Sequence, residues 1–153
     1  MSQESVSGPF VNIACVCQTP LQEGNGILSI IRVLDRIPIV GTTPQMQPQP
    51  LQNLILVVVM RSGVLRATHK VRIVPVGPGE KQLPATEVSV LFEGDDRGPA
   101  IMLPVSLVAT EEGLYWFDVY LEEQLLTRIP LRVIYQRLQA FPFQPPQMPP
   151  PTS

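Results

Sequence analysis

The stretch EEGLYWFDVYLEEQLLTRIPLRVIY, residues 111–135, decides the fold. Side chains alternate between the two faces of a strand. In its first half, Tyr115, Phe117, Val119 and Leu121 form a wholly apolar or aromatic set, whereas Leu114, Trp116, Asp118 and Tyr120 include a carboxylate. The first set is therefore the expected core face. In the second half the same test selects Ile129, Leu131, Val133 and Tyr135 and turns Arg128, Pro130, Arg132 and Ile134 outward. A connection of odd length, residues 122–124, keeps both inner sets on one side. It sets Leu121 opposite Leu125 and Phe117 opposite Ile129. Burial enforces such a register, because a slip of one residue inverts the whole strand. The stretch reads as a hairpin closing a core. Pro130 and Pro104 lack an amide hydrogen and suit edge positions or bulges.

Outward from this hairpin, short β-rich runs recur between Gly, Pro and acidic turns. They span residues 10–17, 27–39, 51–60, 65–76, 86–92 and 100–108, and the hairpin brings the total to eight. Asn25-Gly26 suits the positive φ of a hairpin turn. Residues 27–39 are expected to bend near Asp35-Arg36. Residues 51–60 are almost uniformly apolar, as in a central strand covered on both faces. No window shows sustained helical periodicity. Regular spacing of short strands predicts an all-β, immunoglobulin-like antiparallel sandwich of about eight strands.

The chain has 153 residues, a length that favours one domain. Eleven Lys and Arg against thirteen Asp and Glu leave a net charge of −2, with no electrostatic footprint for nucleic acid or an anionic membrane. The longest apolar run, residues 54–60, is far short of the roughly twenty needed to span a bilayer. The opening MSQESVSGPF lacks the pattern of a secretory signal. With only two cysteines, a soluble protein in the reducing cytoplasm is expected. Residues 1–9 are expected to form a flexible N-terminus, and residues 10–135 the sandwich. Residues 136–153 are expected to form a disordered proline-rich tail, with six prolines between Pro142 and Pro151. Pro142 with Pro145, and Pro146 with Pro149, have the P-x-x-P spacing read in polyproline-II form. Phe141 and Phe143 lie among them.

Gly113, Tyr115, Phe117 and Val119, followed by TRIPLRVIY, resemble the final hairpin of a family of short bacterial proteins of unknown function. The segments ACVCQTP, GNGILSIIRVLDRI, LILVVVMRSG and PVGPGEK are similar to the same family, so that the likeness covers roughly residues 10–135. It implies a compact β-sandwich in a bacterial protein. It carries over no catalytic residue.

The residues themselves offer little chemistry. Cys15 and Cys17 lie two apart on one strand, with Cα atoms about 6.6 Å apart and near-parallel Cβ vectors, a poor geometry for a disulfide. They read as small core residues beside Ile13. His69, the only histidine, stands in no recognisable catalytic motif and reads as a surface or half-buried strand residue. Glu93-Gly94-Asp95-Asp96 departs from a calcium loop and reads as a solvated turn. GPGEK lacks the spacing of a phosphate-binding loop. No enzyme, cofactor or metal is expected. One constellation remains. Trp116, Asp118 and Tyr120, with Arg128 and Arg132 on the neighbouring strand, form an outward aromatic and charged strip. Exposed Trp, Tyr and Arg are favoured at binding hot spots, but such residues also simply cover a sheet, with arginine stacked on the rings. The expected role is a non-enzymatic interaction module that binds another protein through this strip. The alternative is a small-ligand or carbohydrate-binding sandwich using the loops at one end.

Overall fold

The hairpin read from residues 111–135 lies at the centre of the molecule. The computed structural model describes residues 7–139 and 146–152. It contains β1 (Phe10–Gln22), β2 (Leu28–Leu34), β3 (Arg36–Gly41), β4 (Gln49–Leu51), β5 (Ile55–Arg61) and β6 (Gly63–Gly77). These are followed by β7 (Lys81–Gln82), β8 (Thr86–Asp95), β9 (Ala100–Pro104), β10 (Leu107–Ala109), β11 (Gly113–Leu121) and β12 (Gln124–Arg137). Among the described residues there is no helix. One sheet has the order β2-β1-β5-β9, and a larger one has β3-β12-β11-β6-β7 with β8 also paired to β6. A third, small sheet pairs β10 with β4.

The expectation of about eight strands is corrected to twelve strands in three sheets among the described residues. The run 27–39 divides at Asp35 because its halves bond to different sheets: β2 pairs with β1, and β3 pairs in parallel with β12. The run 100–108 divides likewise into β9, on β5, and β10, on β4. The other additions, β4 and β7, are three and two residues long, too short for an alternation pattern.

The two large sheets face each other across one core. Val16, Leu56, Val58, Met60 and Ile101 come from the first; Val71, Ile73, Phe92, Tyr115, Phe117, Val119, Leu121, Ile129, Leu131 and Val133 come from the second. The inner set expected on β11 is thus the buried one. Tyr115 enters this core because its hydroxyl is satisfied: it donates to the carbonyl of Glu111 at 2.7 Å. Tyr135, expected inward, is half-buried, and its hydroxyl donates to the carbonyl of Thr43 at 2.6 Å.

The register at Phe117 is as expected, opposite Ile129, but the turn is not. Leu121 faces Gln124 rather than Leu125, around a two-residue turn in which Glu122 takes a φ of 49°. Two-residue hairpins favour such positive φ values. A bulge between Val119 and Tyr120 absorbs one residue of β12 and restores the inner faces. Pro104 ends β9, which is an edge strand. Pro130 lies on β12 just before its parallel pairing with β3 begins at Arg132, so it occupies a local edge.

The first sheet is apolar on both faces. Ile13, Cys15, Cys17, Ile55, Val57, Val59 and Met102 form a second cluster on its outer side. The far half of the β1–β2 hairpin covers them. Ten residues of straight strand separate Asn12 from Gln22 by roughly 33 Å, yet both line one cavity together with Ile27 and Leu28. The hairpin therefore turns back across the sheet. The turning point is marked by Arg32, with a φ of 58°, between the pairs Cys17–Val33 and Thr19–Ile31. Leu28 and Ile30 consequently pack on the outer cluster, while Leu34 packs in the main core.

Candidate functional site

The strip lies on the outer face of the larger sheet, where β6, β11 and β12 run side by side. Asp118 stands directly opposite Arg128, Trp116 opposite Pro130, and Leu114 opposite Arg132. Across the other ladder, Val76, Val74 and Arg72 face Trp116, Asp118 and Tyr120. Asp118 is only 7% exposed. A carboxylate so far from water needs a partner, and the Nε of Arg128 donates to its Oδ1 at 2.7 Å. Glu80, in the turn after β6, approaches the same guanidinium at 3.6 Å. The hydrogen bond that Arg128 donates to Asp118 is the main cause raising the Arg128 pKa above its ordinary value; burial opposes it, and the negative charges of Asp118 and Glu80 add to it.

Held in this way, Arg128 lies 4.7 Å from the centre of the Trp116 ring. Arg72 lies 5.0 Å from that of Tyr120. Both are cation–π contacts. Trp116 and Tyr120 are half-buried, and Val74 and Val76, beside them on β6, are buried. Arg132 is exposed and joins none of the ion pairs among the described residues. The structure thus brings Trp116, Asp118 and Arg128 into one connected unit, sets Tyr120 beside it, and leaves Arg132 at its rim. Two contributors escaped the sequence reading, Arg72 and Glu80. The alternation of VRIVPV sets Arg72 on the face of Val74 and Val76, but only the β6–β11 pairing brings it to Tyr120.

The other candidates have structural surroundings. Cys17 is fully buried and Cys15 half-buried, both as free thiols in the cluster beneath the hairpin. Burial pushes both thiol pKa values up, and for Cys15 the neighbouring Cys17 adds to this. Less thiolate is then present at neutral pH than in the unfolded chain, and thiolate is the reactive form. Iodoacetamide at pH 7 is expected to alkylate the native protein at least about tenfold more slowly than the urea-unfolded chain. Equal rates, read by intact mass, would mean that the hairpin does not shield the cluster.

His69 packs edge-on to Phe92 at 5.8 Å, and its Nδ1 lies 3.5 Å from Glu122 Oε1. That same oxygen accepts the amide of Lys70 at 3.0 Å, which ties the β11–β12 turn to β6. In the acidic segment, Glu93 lies 3.9 Å from Arg97 and Asp95 lies 3.4 Å from Arg66. Among the described residues no group of three or more His, Cys, Asp or Glu could hold a metal. No helix among them is long and apolar enough to cross a membrane. Phe141, Phe143, Pro142 and Pro145 lie outside the described residues, and Pro146 to Thr152 are exposed.

Fold and strip together define an all-β, sandwich-like protein with an arginine-capped aromatic face. The chain matches no protein-family model and no curated protein sequence.

Proposed function

We propose that this chain is a non-enzymatic, immunoglobulin-like interaction module that binds another protein through Trp116, Tyr120, Arg128 and Arg132. Two features support the immunoglobulin-like reading: the edge strand β3 runs parallel to the last strand, and the Tyr115 hydroxyl, near the start of β11, bonds back to Glu111 in the segment before it. The second is the arrangement of a tyrosine corner. The same proposal takes residues 10–135 as a short bacterial β-sandwich, in a cytoplasmic setting that suits the two free thiols.

One observation carries the binding reading. Asp118 and Glu80 hold Arg128 in place over Trp116, so an aromatic and a cationic anchor stand preset on the outer sheet face. Trp, Tyr and Arg dominate binding hot spots, and presetting them lowers the entropy lost on association. Asp118 on this reading is a positioning residue.

The test uses the full chain as bait in extract of its own cells, beside a Trp116→Ala/Arg132→Glu double variant. The reading expects a protein retained stoichiometrically by the wild type and lost at least tenfold by the variant, with the urea midpoint of the variant showing that it is folded. Equal recovery by both, or no protein retained by either, would overturn it.

A further inference from the structure

The cavity beneath the β1–β2 hairpin has a volume of about 570 Å³ and lies on the sheet opposite the strip. That is within the roughly 300–1,000 Å³ range of small-molecule sites. Ile13, Val59 and Met102 line it from the sheet, and Leu28 from the hairpin. Its polar side chains are Asn12, Gln22 and Arg61, of which Arg61 alone is charged. Arg61 is half-buried and joins none of the ion pairs among the described residues. It also borders a neighbouring cavity that contains Asp95 and Asp96; Asp95 is engaged by Arg66 at 3.4 Å, and neither carboxylate forms an ion pair with Arg61 among the described residues.

The lining selects a ligand by elimination. The lining is mixed, and its aliphatic side chains, Ile13, Leu28, Val59 and Met102, favour an apolar chain, at about 25 cal/mol per Å² removed from water. A guanidinium donates two parallel hydrogen bonds to a carboxylate. One arginine matches one negative charge, so a dianion would bring surplus charge into an apolar site. An organic cation would meet Arg61 with like charge. A neutral alcohol would bury the guanidinium with no anion to compensate it.

We propose that this cavity binds a medium-chain carboxylate, its head on Arg61 and its tail along Ile13, Val59, Met102 and Leu28. The hairpin provides the way in. Its far half, residues 19–22 and 28–31, pairs only with itself, because β5 stops opposite Cys17. A two-stranded ribbon is marginally stable and opens more readily than the sheet behind it. Binding draws it down and buries Leu28 further.

The probe is octanoate, titrated into the full chain and followed by the methyl resonances of Met102 and Leu28, with 1-octanol as the uncharged comparison. The expected result is saturable shifts at both methyls with octanoate and at least tenfold weaker binding of octanol. Arg61→Gln should lose that preference while still binding octanol. Equal binding of the two by the wild type would overturn the assignment of an anion site, a comparison that needs no variant. Absence of saturable shifts would overturn the cavity as a site. An Arg61→Gln chain that keeps the preference would remove Arg61 as the anchor. The Trp116→Ala/Arg132→Glu variant should bind octanoate as the wild type does, so this site and the protein-binding strip stand or fall separately.

Discussion

Replacing Phe117 with alanine is expected to destabilise the protein by about 3–5 kcal/mol, the range for emptying an aromatic site in a packed core. Phe117 is 3% exposed and sits mid-strand, opposite Ile129 on β12 and Pro75 on β6. Its ring also borders a small cavity of about 30 Å³ shared with Leu56, Ile73 and Leu103. Truncation enlarges that void between two sheets whose backbones are held by ladders, so collapse cannot fill it. Domains are stable by only about 5–15 kcal/mol, so the loss is a large share of the total. Urea unfolding measures it: the midpoint falls while the slope is unchanged. A Phe117→Ala midpoint equal to that of the wild type would place the core on the other face of β11.

The second large effect is expected at Gly98. A Cβ there would lie 2.6 Å from the carbonyl carbon of Met60 and 2.9 Å from the Cα of Arg61, and would meet the Met60 carbonyl oxygen more closely still. All three are backbone atoms, so no side-chain rotation relieves the clash. The segment is also pinned on either side, since the amide of Met60 donates to Pro99 at 3.0 Å and that of Ser62 donates to Arg97 at 2.7 Å. Overpacking costs about 1–3 kcal/mol, and each backbone hydrogen bond broken to escape it adds about 1 kcal/mol. Gly24→Ala is the control, because a Cβ there meets nothing within 4 Å. Thermal unfolding should separate the two variants by many degrees. Coincident transitions would show that the 97–99 segment does not lie against β5 in solution.

Arg128 owes its place to a local relation, and Arg72 to a distant one. Asp118 and Arg128 are ten residues apart and meet because a hairpin sets outward residues opposite one another. That much follows from alternation and a turn. Arg72 reaches Tyr120 only through the β6–β11 ladder.

The alternation along residues 113–121 and 125–135 was sufficient to select the core face, since one set carried no charge and burial of Asp118 without a partner was unfavourable. It also put Trp116, Asp118 and Tyr120 on the outer face, while the turn chemistry of Asn25-Gly26 marked a hairpin, where Gly26 takes a φ of 84°, and residues 27–39 were expected to bend near Asp35. Tertiary structure alone decided the rest. Whether β2 and β3 continue one strand or join opposite sheets depends on which distant edge accepts their hydrogen bonds. The Glu122-Glu123 turn and its compensating bulge depend on how Lys70 and Glu122 dock. Near-uniform apolarity in residues 51–60 signalled two covered faces, but the same pattern is compatible with any cover. That the cover is the chain's own hairpin, folded back at Arg32 over Cys17 and Val57, follows from contacts between segments far apart along β1, and local patterns carry no record of such contacts.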